Sequence, residues 1–322
     1  MSPTKIVVTR EIPEPALEVL REVGEVWVSG KDRPLTPDEL REAVAGASAV
    51  VGMLHDRIDG EFADAAGPGL KVFANVAVGY DNVDVSALAA RDVLVTNTPG
   101  VLTDATADLT FGLLLAVTRR LGEGERLLRA GTEWSFHLGF LLGAGLQGKT
   151  LGIVGLGQIG QAVARRALAF GLRIAYTGRS RAAEDVEKAL GATYLPMTEL
   201  LERADIVSLH CPLTPETRHL INAGTLAAMK PGAYLVNTTR GPVVDEPALA
   251  DALAAGRIAG AALDVFEKEP EVEPRLLRMD NVVVTPHLGS ATVETRTGMA
   301  LLAARNVASV LAGEGPLNEV SP

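Results

Sequence analysis

Residues 150–161 read Thr-Leu-Gly-Ile-Val-Gly-Leu-Gly-Gln-Ile-Gly-Gln, and this stretch decides how the second half of the chain folds. The apolar run Leu151–Val154 is typical of a buried strand, and the residues after Gly160 have the spacing of a helix. Gly155 permits a tight turn, Gly157 lets the backbone approach a pyrophosphate, and Gly160 lets the helix pack closely on the strand. The helix N-terminus would face the negative charge. The stretch therefore predicts a dinucleotide-binding loop.

The strand that follows this loop predicts which dinucleotide is preferred. A carboxylate at its end would hold the ribose 2′-hydroxyl of NAD and repel a 2′-phosphate. The segment instead reads Tyr176-Thr-Gly-Arg179-Ser180-Arg181, and its two guanidinium groups and hydroxyl suit a phosphate dianion. An exposed basic turn without a ligand is the alternative. Since Glu184 and Asp185 lie too far along the chain for the usual ribose contact, we expect NADP(H) to be preferred, with NAD(H) as the second choice.

Short Val-rich apolar runs alternate with stretches of helical spacing, which is typical of βα units around a parallel sheet. The alternation falls into two series. The predicted strands of the first series are Lys5–Val8, Val26–Val28, Ala49–Met53, Leu70–Asn75 and Val93–Thr96. Those of the second series are Thr150–Val154, Arg173–Tyr176, Ile206–Leu209, Tyr234–Asn237, Gly260–Leu263 and Val282–Thr285.

Two series of strands in a chain of 322 residues predict two domains, because single cores rarely grow beyond about 250 residues. We predict the α/β class with two doubly wound parallel sheets. A Rossmann cofactor domain over residues 100–291 would be inserted in a flavodoxin-like substrate domain formed by residues 1–99 and 292–322. The last of these segments is expected to be helical from about Thr292 to Ala312.

The segment between the two series has its own pattern. Residues from Asp104 to Ala130 have helical spacing and few helix breakers, so we expect one connector helix there. A glycine-rich loop from Gly131 to Gly148 would follow, on a surface or at an interface.

Composition excludes several classes of function. The formal charge of −10 argues against nucleic acid as a partner, because binding a polyanion needs a basic face. The single cysteine, Cys211, forms neither an intrachain disulfide nor a cysteine-based metal site, and no metal is expected. The first residues lack the apolar stretch of a secretory signal, and the longest apolar run, Leu109–Val117, is too short to cross a bilayer. A cytoplasmic protein without a membrane segment is expected.

A nicotinamide cofactor that reduces a ketone needs a proton donor for the developing alkoxide and a cation for a substrate carboxylate. His287 is the favoured donor among five histidines, since it follows the last predicted strand and precedes a flexible segment. The others are His55, His137, His210 and His219. Arg240 and Glu269 also lie just past predicted strands, where ligands bind in open α/β folds. Taken singly, each residue has an alternative interpretation. These are a structural histidine for His287, a surface cation for Arg240 and part of a solvated acidic run for Glu269.

These residues carry a family resemblance. The sequence resembles the D-isomer-specific 2-hydroxyacid dehydrogenases, most closely their glyoxylate/hydroxypyruvate reductase branch, over nearly the whole chain. Besides the glycine loop, the matching segments are Asn75–Asp81, Val101–Thr106, Asn237–Gly241, Leu263–Asp264, Glu269–Pro270 and Thr285–Ser290.

The resemblance implies an enzyme that reduces glyoxylate to glycolate and hydroxypyruvate to D-glycerate. His287 would donate the proton, Glu269 would hydrogen-bond the imidazole and favour its charged form, and Arg240 would hold the keto oxygen and the carboxylate. The implied substrate contacts are the backbone amides of Val78 and Gly79, with Asp264 and Ser290 nearby. The implied cofactor contacts are Gly157, Gln158 and Ile159 along the pyrophosphate and Thr106, Pro212, Thr217, Thr238 and Gly289 elsewhere.

The resemblance also implies a homodimer in which Asp104–Gly148 packs against the partner. Some relatives place a tryptophan from this loop in the neighbouring active site. The corresponding stretch here, Ser135–Phe140, offers Phe140 instead.

Three other groups of the wider family are alternatives. Formate dehydrogenases carry Gln where this chain has Glu269, and their reaction needs no proton donor. Many phosphoglycerate dehydrogenases carry an additional regulatory domain, for which a chain ending at Pro322 has no room. Dinucleotide-sensing corepressors share the fold and similar active-site residues but carry partner-binding extensions. D-3-phosphoglycerate or another D-2-hydroxyacid remains an alternative substrate, and a corepressor is a less favoured alternative.

Overall fold

The computed structural model describes residues 4–322 and divides the chain into two compact units. Unit 1 contains the described residues up to Leu102 together with Ala291–Pro322, and unit 2 is Thr103–Ser290. The chain therefore leaves unit 1, builds the whole of unit 2 and returns to finish unit 1. The domain boundaries expected from the sequence lay at 99/100 and 291/292.

Unit 1 is built on a five-stranded parallel sheet with the order β2-β1-β3-β4-β5. Its strands are β1 Lys5–Val8, β2 Glu25–Val28, β3 Ala49–Gly52, β4 Val72–Asn75 and β5 Leu94–Thr96. Its helices are α1 Glu14–Arg21, α2 Pro37–Val44, α3 Gly60–Ala66, α4 Val85–Ala89 and α12 Val293–Ala312. This order is that of the flavodoxin-like sheet. Successive residues of β1 enter two different cores, Val7 on one face and Ile6 and Val8 on the other, so helices cover both faces.

Unit 2 is built on a seven-stranded parallel sheet with the order β12-β11-β10-β9-β6-β7-β8. Its strands are β6 Thr150–Val154, β7 Arg173–Thr177, β8 Thr193–Tyr194, β9 Ile206–Leu209, β10 Tyr234–Asn237, β11 Gly260–Leu263 and β12 Val282–Val284. Its helices are α5 Thr103–Thr118, α6 Leu121–Arg129, α7 Gln158–Ala169, α8 Glu184–Leu190, α9 Met197–Arg203, α10 Ala223–Ala228 and α11 Glu246–Ala254. The strand order reverses between β6 and β9, as in a Rossmann fold. The predicted fold class is confirmed.

Two elements of unit 2 were not predicted correctly. The single connector helix expected over Asp104–Ala130 was wrong, because α5 ends at Thr118 and α6 starts at Leu121. Arg120 lies between them in the left-handed region with φ +53°, which a continuous right-handed helix does not allow. Its guanidinium group donates two hydrogen bonds, of 2.6 and 2.7 Å, to the carboxylate of Glu123 in the first turn of α6. The two-residue strand β8 was not predicted, since so short a run carries no periodicity.

Candidate active site

The turn between β6 and α7 needs glycine for reasons of space. Gly155 has φ +98°, and a Cβ there would lie 2.7 Å from the carbonyl oxygen of His210. A Cβ at Gly160 would lie 2.2 Å from the carbonyl oxygen of Gly155, so α7 packs on β6 only without one. Apart from chain neighbours, no heavy atom of the described residues lies within 4 Å of a Cβ built at Gly157. The turn thus leaves open space beside Gly157.

The N-terminus of α7 borders this space. Gly157 is its N-cap and no side chain caps the helix. Within the described part of the chain, the amide groups of Gln158 and Ile159 have no hydrogen-bond acceptor. Free amide groups and the dipole of a 12-residue helix favour an anion at this position. The residues present therefore fit the pyrophosphate of a dinucleotide.

The loop after β7 is organised by a carboxylate that sequence reasoning missed. Glu187, on α8, accepts two hydrogen bonds from the Arg181 guanidinium group at 2.8 Å and one from the Tyr176 hydroxyl at 2.5 Å. Its side chain is only 10% exposed. The hydrogen bonds from Arg181 and then Tyr176 lower the pKa of Glu187 to about 2. Arg181 is therefore already paired with a buried carboxylate.

Arg179 and Ser180 precede Arg181 in the same exposed loop between β7 and α8. A hydrogen bond from Thr214 lowers the pKa of Glu216, and the charge of Arg179 lowers it further. The loop after β7 and the loop after β9 therefore approach each other. Between these loops, in sheet order, lies the β6 turn with its free amide groups.

Several predicted cofactor contacts belong to internal hydrogen-bond networks of unit 2. The hydroxyl groups of Thr110 and Thr238 lie 2.9 Å apart, and Thr110 also donates to the carbonyl oxygen of Thr106. The Thr106 hydroxyl donates to the carbonyl oxygen of Gly289 at 3.1 Å. Thr110, which the sequence did not single out, thus links Thr238 to Thr106. Elsewhere in unit 2, the Thr217 hydroxyl donates to the carbonyl oxygen of Pro212 at 2.7 Å.

His287 and Glu269 form a direct pair. Nδ1 of His287 lies 2.8 Å from Oε2 of Glu269, and Oε1 of Glu269 accepts the Phe266 amide at 3.0 Å. With the carboxylate as acceptor, Nδ1 carries the proton and Nε2 is left to exchange one. The His287 side chain is 26% exposed, so Nε2 is reachable from outside the pair. The two residues follow β12 and β11, which are neighbours in the sheet.

Arg240 follows β10, the next strand of the same sheet. Its turn is held by Asn237, whose side-chain amide donates to the Arg240 carbonyl oxygen at 3.0 Å. The turn also packs against the segment after β11, where a Cβ at Gly241 would lie 1.8 Å from the carbonyl carbon of Phe266. Phe266 in turn donates its amide to Glu269. Glycine at this position therefore brings the Arg240 turn close to the segment that carries Glu269.

Asp264 holds the loop that carries His287. It is 1% exposed, and its carboxylate accepts the Thr285 hydroxyl at 2.6 Å and the amides of Leu288 and Gly289 at 2.7 and 2.8 Å. Its carbonyl oxygen also accepts the His287 amide at 2.8 Å. Burial raises the pKa of Asp264, and these hydrogen bonds oppose that shift. Its observed contacts are with this loop, and its nearness to substrate stays a prediction.

The remaining histidines have other surroundings. Burial lowers the pKa of His210 to about 3, and its Nε2 lies 2.8 Å from the Ser208 hydroxyl, so it is a neutral internal side chain. Nε2 of His219 lies 2.7 Å from Oε1 of Glu267, which gives unit 2 a second His-Glu pair. His55 and His137 are exposed, His55 in unit 1 and His137 in the glycine-rich loop.

The other predicted substrate contacts are divided between the units. Val78 and Gly79 follow β4 in unit 1, whereas Ser290 is the last residue of unit 2 and is partly exposed.

Within residues 4–322, no group of three or more His, Cys, Asp or Glu side chains is arranged to hold a metal ion. None of the helices described is long and apolar enough to cross a membrane.

Known proteins are similar to most of unit 2. Residues 111–289 match the family model for the NAD binding domain of D-isomer specific 2-hydroxyacid dehydrogenases. That match covers more than half of the chain. The chain belongs to the D-isomer-specific 2-hydroxyacid dehydrogenases. The resemblance found in the sequence is thereby confirmed, and the protein is an oxidoreductase of this family.

Relatives of this dehydrogenase are similar over nearly their whole length. Glyoxylate reductase of Thermococcus onnurineus is 50% identical over 317 residues, which cover 97% of this chain and 94% of the relative. A solved structure from Thermus thermophilus has a TM-score of 0.92 and 48% identity, covering 98% of this chain and all of that one. NADPH-dependent glyoxylate/hydroxypyruvate reductase from Sinorhizobium meliloti, solved with NADP and malonate, has a TM-score of 0.86 and 39% identity, with 99% and 97% of the two chains covered.

Proposed function

We propose that this dehydrogenase is an NADPH-preferring reductase of small 2-keto acids that converts glyoxylate to glycolate and hydroxypyruvate to D-glycerate. The observation that carries the proposal is the His287-Glu269 pair, at 2.8 Å, beside the strand that leads to Arg240. The 50% identity to a glyoxylate reductase supports the choice of substrate. Hydride transfer to a 2-keto acid needs a proton donor and a cation, and these residues are of the required types.

The residues have separate roles in the proposed reaction. The bound nicotinamide supplies the hydride. His287 delivers a proton from Nε2 to the keto oxygen, while Glu269 holds the opposite side of the ring through Nδ1. Arg240 holds the carboxylate and the keto oxygen of the substrate through its planar guanidinium group. Asp264 keeps the His287 loop in place.

The activity is tested by the initial rate of cofactor oxidation at about 340 nm with glyoxylate, hydroxypyruvate and pyruvate, each with NADPH and with NADH. We expect turnover of glyoxylate or hydroxypyruvate, faster with NADPH, within the range of about 1 to 1,000 s⁻¹ that is usual for enzymes. An absence of turnover with all six pairs would contradict the proposal and favour another 2-keto acid or a dinucleotide sensor.

Two substitutions test the catalytic roles. His287→Ala should lower kcat at least about tenfold, because the alkoxide loses its proton donor, whereas Arg240→Ala should lower kcat and also raise the KM for glyoxylate. Steady-state kinetics at saturating NADPH measure both. His219→Ala is the matched control, since His219 also pairs with a glutamate, at 2.7 Å, and should leave kcat within about threefold. If His287→Ala and Arg240→Ala both keep the wild-type activity, the catalytic roles are wrongly assigned.

Cofactor preference is proposed to depend on Arg179 more than on Arg181. Both residues were predicted to bind the 2′-phosphate, and both stay in the proposed site. Arg181, however, already forms two hydrogen bonds with Glu187. A phosphate would compete with that buried carboxylate for the same guanidinium group and would be repelled by it. Arg179 is exposed and has the charge that a 2′-phosphate requires.

Arg179→Gln should raise the Kd for NADPH at least about tenfold and leave the Kd for NADH within about twofold, because only NADPH carries the 2′-phosphate. Quenching of protein fluorescence by each cofactor measures both constants. Arg181→Gln is the comparison variant. By disturbing the Glu187 cluster it should weaken the two cofactors to a similar extent. Equal losses of NADPH and NADH binding in Arg179→Gln would exclude phosphate recognition by this residue.

A homodimer is the assembly that the exposed apolar side chains of unit 2 support. None of the residues of α6 is buried, and the following loop exposes Trp134, Phe136 and Leu138, the last to 88%. Trp134 stacks on Phe140 with ring centroids 5.9 Å apart, so the loop has internal order. Contiguous apolar patches of this kind usually mark protein interfaces.

Leu138→Asp combined with Leu128→Asp should produce monomers, because charges would have to be buried against the partner. Sedimentation velocity distinguishes a monomer of 33.7 kDa from a dimer of twice that mass. Leu317→Asp is the control, since Leu317 is an exposed leucine in unit 1 and should leave the mass unchanged. Wild-type protein that sediments as a monomer would refute the dimer.

A further inference from the structure

The loop after β4 in unit 1 has satisfied carbonyl groups. The carbonyl oxygen of Ala77 accepts the backbone amide of Thr98 at 2.9 Å. The carbonyl oxygen of Val78 accepts the side-chain amide of Asn97 at 2.9 Å, and that of Gly79 accepts the side-chain amide of Asn75 at 2.9 Å. Three successive carbonyl groups are therefore bonded to the protein itself.

The amide groups of the same loop are not satisfied in this way. Among the described residues, the amides of Val78, Gly79 and Tyr80 have no hydrogen-bond acceptor. Val78 and Gly79 are partly exposed and Tyr80 is exposed, so an acceptor from outside can reach the loop. The free N–H groups of successive residues present positive potential when the carbonyl groups of the same loop point elsewhere. Such a loop favours an anion.

The geometry of the peptide bond joins these two observations. In a planar trans peptide, the carbonyl group of one residue and the amide of the next point in opposite directions. Because Thr98 holds the Ala77 carbonyl group, the Val78 amide faces away from Thr98. Because Asn97 holds the Val78 carbonyl group, the Gly79 amide likewise faces away from Asn97.

We propose that Asn97 and Asn75 are positioning residues that fix this loop as a carboxylate-binding site. Asn97 directs the Gly79 amide, and Asn75 directs the Tyr80 amide, which becomes a third donor beside the amides of Val78 and Gly79. Neither asparagine touches the carboxylate. The identification of that carboxylate as part of a 2-keto acid rests on the proposed function, whereas the anion site itself rests only on contacts within unit 1.

Asn97→Asp tests this inference without changing the size of the side chain. An Asp oxygen in place of the amide nitrogen repels the Val78 carbonyl oxygen and turns the peptide, so the Gly79 amide no longer faces the anion. The probe is oxalate, which has carboxylates but no ketone to reduce. We expect the Kd for oxalate and the KM for glyoxylate to rise at least about tenfold, with the Kd for NADPH within about twofold.

Asn97→Ala separates the lost hydrogen bond from the added charge, and a smaller rise of about threefold in the oxalate Kd is expected. Asn281→Asp is the matched control, because the Asn281 amide also holds a backbone carbonyl group, that of Ala259, but lies in unit 2. It should leave oxalate binding unchanged. Rescue of oxalate binding in Asn97→Gln relative to Asn97→Ala would support a role for the amide donor.

Oxalate binding is measured from the rise in melting temperature with oxalate concentration, which also reports whether each variant folds. If Asn97→Asp does not fold, Asn97→Ala is judged by the same measurement. A folded variant of either kind with the wild-type oxalate Kd overturns the inference, as does wild-type protein that oxalate does not stabilise. If wild-type protein reduces no 2-keto acid but binds oxalate through Asn97, the proposed function fails and the anion site stands.

Discussion

The buried carboxylate of Asp264 is the constraint on which the arrangement of unit 2 around His287 depends. One oxygen accepts the Thr285 hydroxyl and the Leu288 amide, and the other accepts the Gly289 amide. A buried carboxylate without such donors would be strongly destabilising, so the loop has little freedom to leave it. The loop is thereby fixed on both sides of His287, whose own amide is held by the Asp264 carbonyl oxygen.

With that loop fixed, the order of strands in the sheet determines which other side chains lie near His287. The strands β10, β11 and β12 are parallel neighbours, so their carboxyl ends lie along one edge. Glu269 meets His287 from the segment after β11, and the absence of a side chain at Gly241 lets the Arg240 turn approach that segment. Backbone packing and the hydrogen bond between His287 and Glu269 therefore both place these residues along this edge of the sheet.

Sequence reasoning identified the chemical groups of the cofactor loop without their partners. The two arginines and the serine after β7 could be recognised from the sequence, because the strand, the turn and the helix follow each other directly there. Glu187 was not recognised, since it lies in the first turn of α8 and meets Arg181 only when the chain folds back. The same limit applies to Thr110, whose hydroxyl meets that of Thr238 across 128 residues of sequence. Neither contact leaves a periodic signal in the sequence.

The sequence by itself determined the two parallel sheets, the glycine turn and the positions of Arg240, Glu269 and His287 after three strands. Those features follow from local patterns and from the rule that parallel strands place their carboxyl ends together. Tertiary structure alone decided that Arg120 divides the connector helix and that Glu187 binds the guanidinium group of Arg181. It also decided that Asn97 and Asn75 donate hydrogen bonds to carbonyl groups of the loop after β4. These outcomes rest on side-chain hydrogen bonds and on single backbone conformations, which leave no hydrophobic periodicity in the sequence.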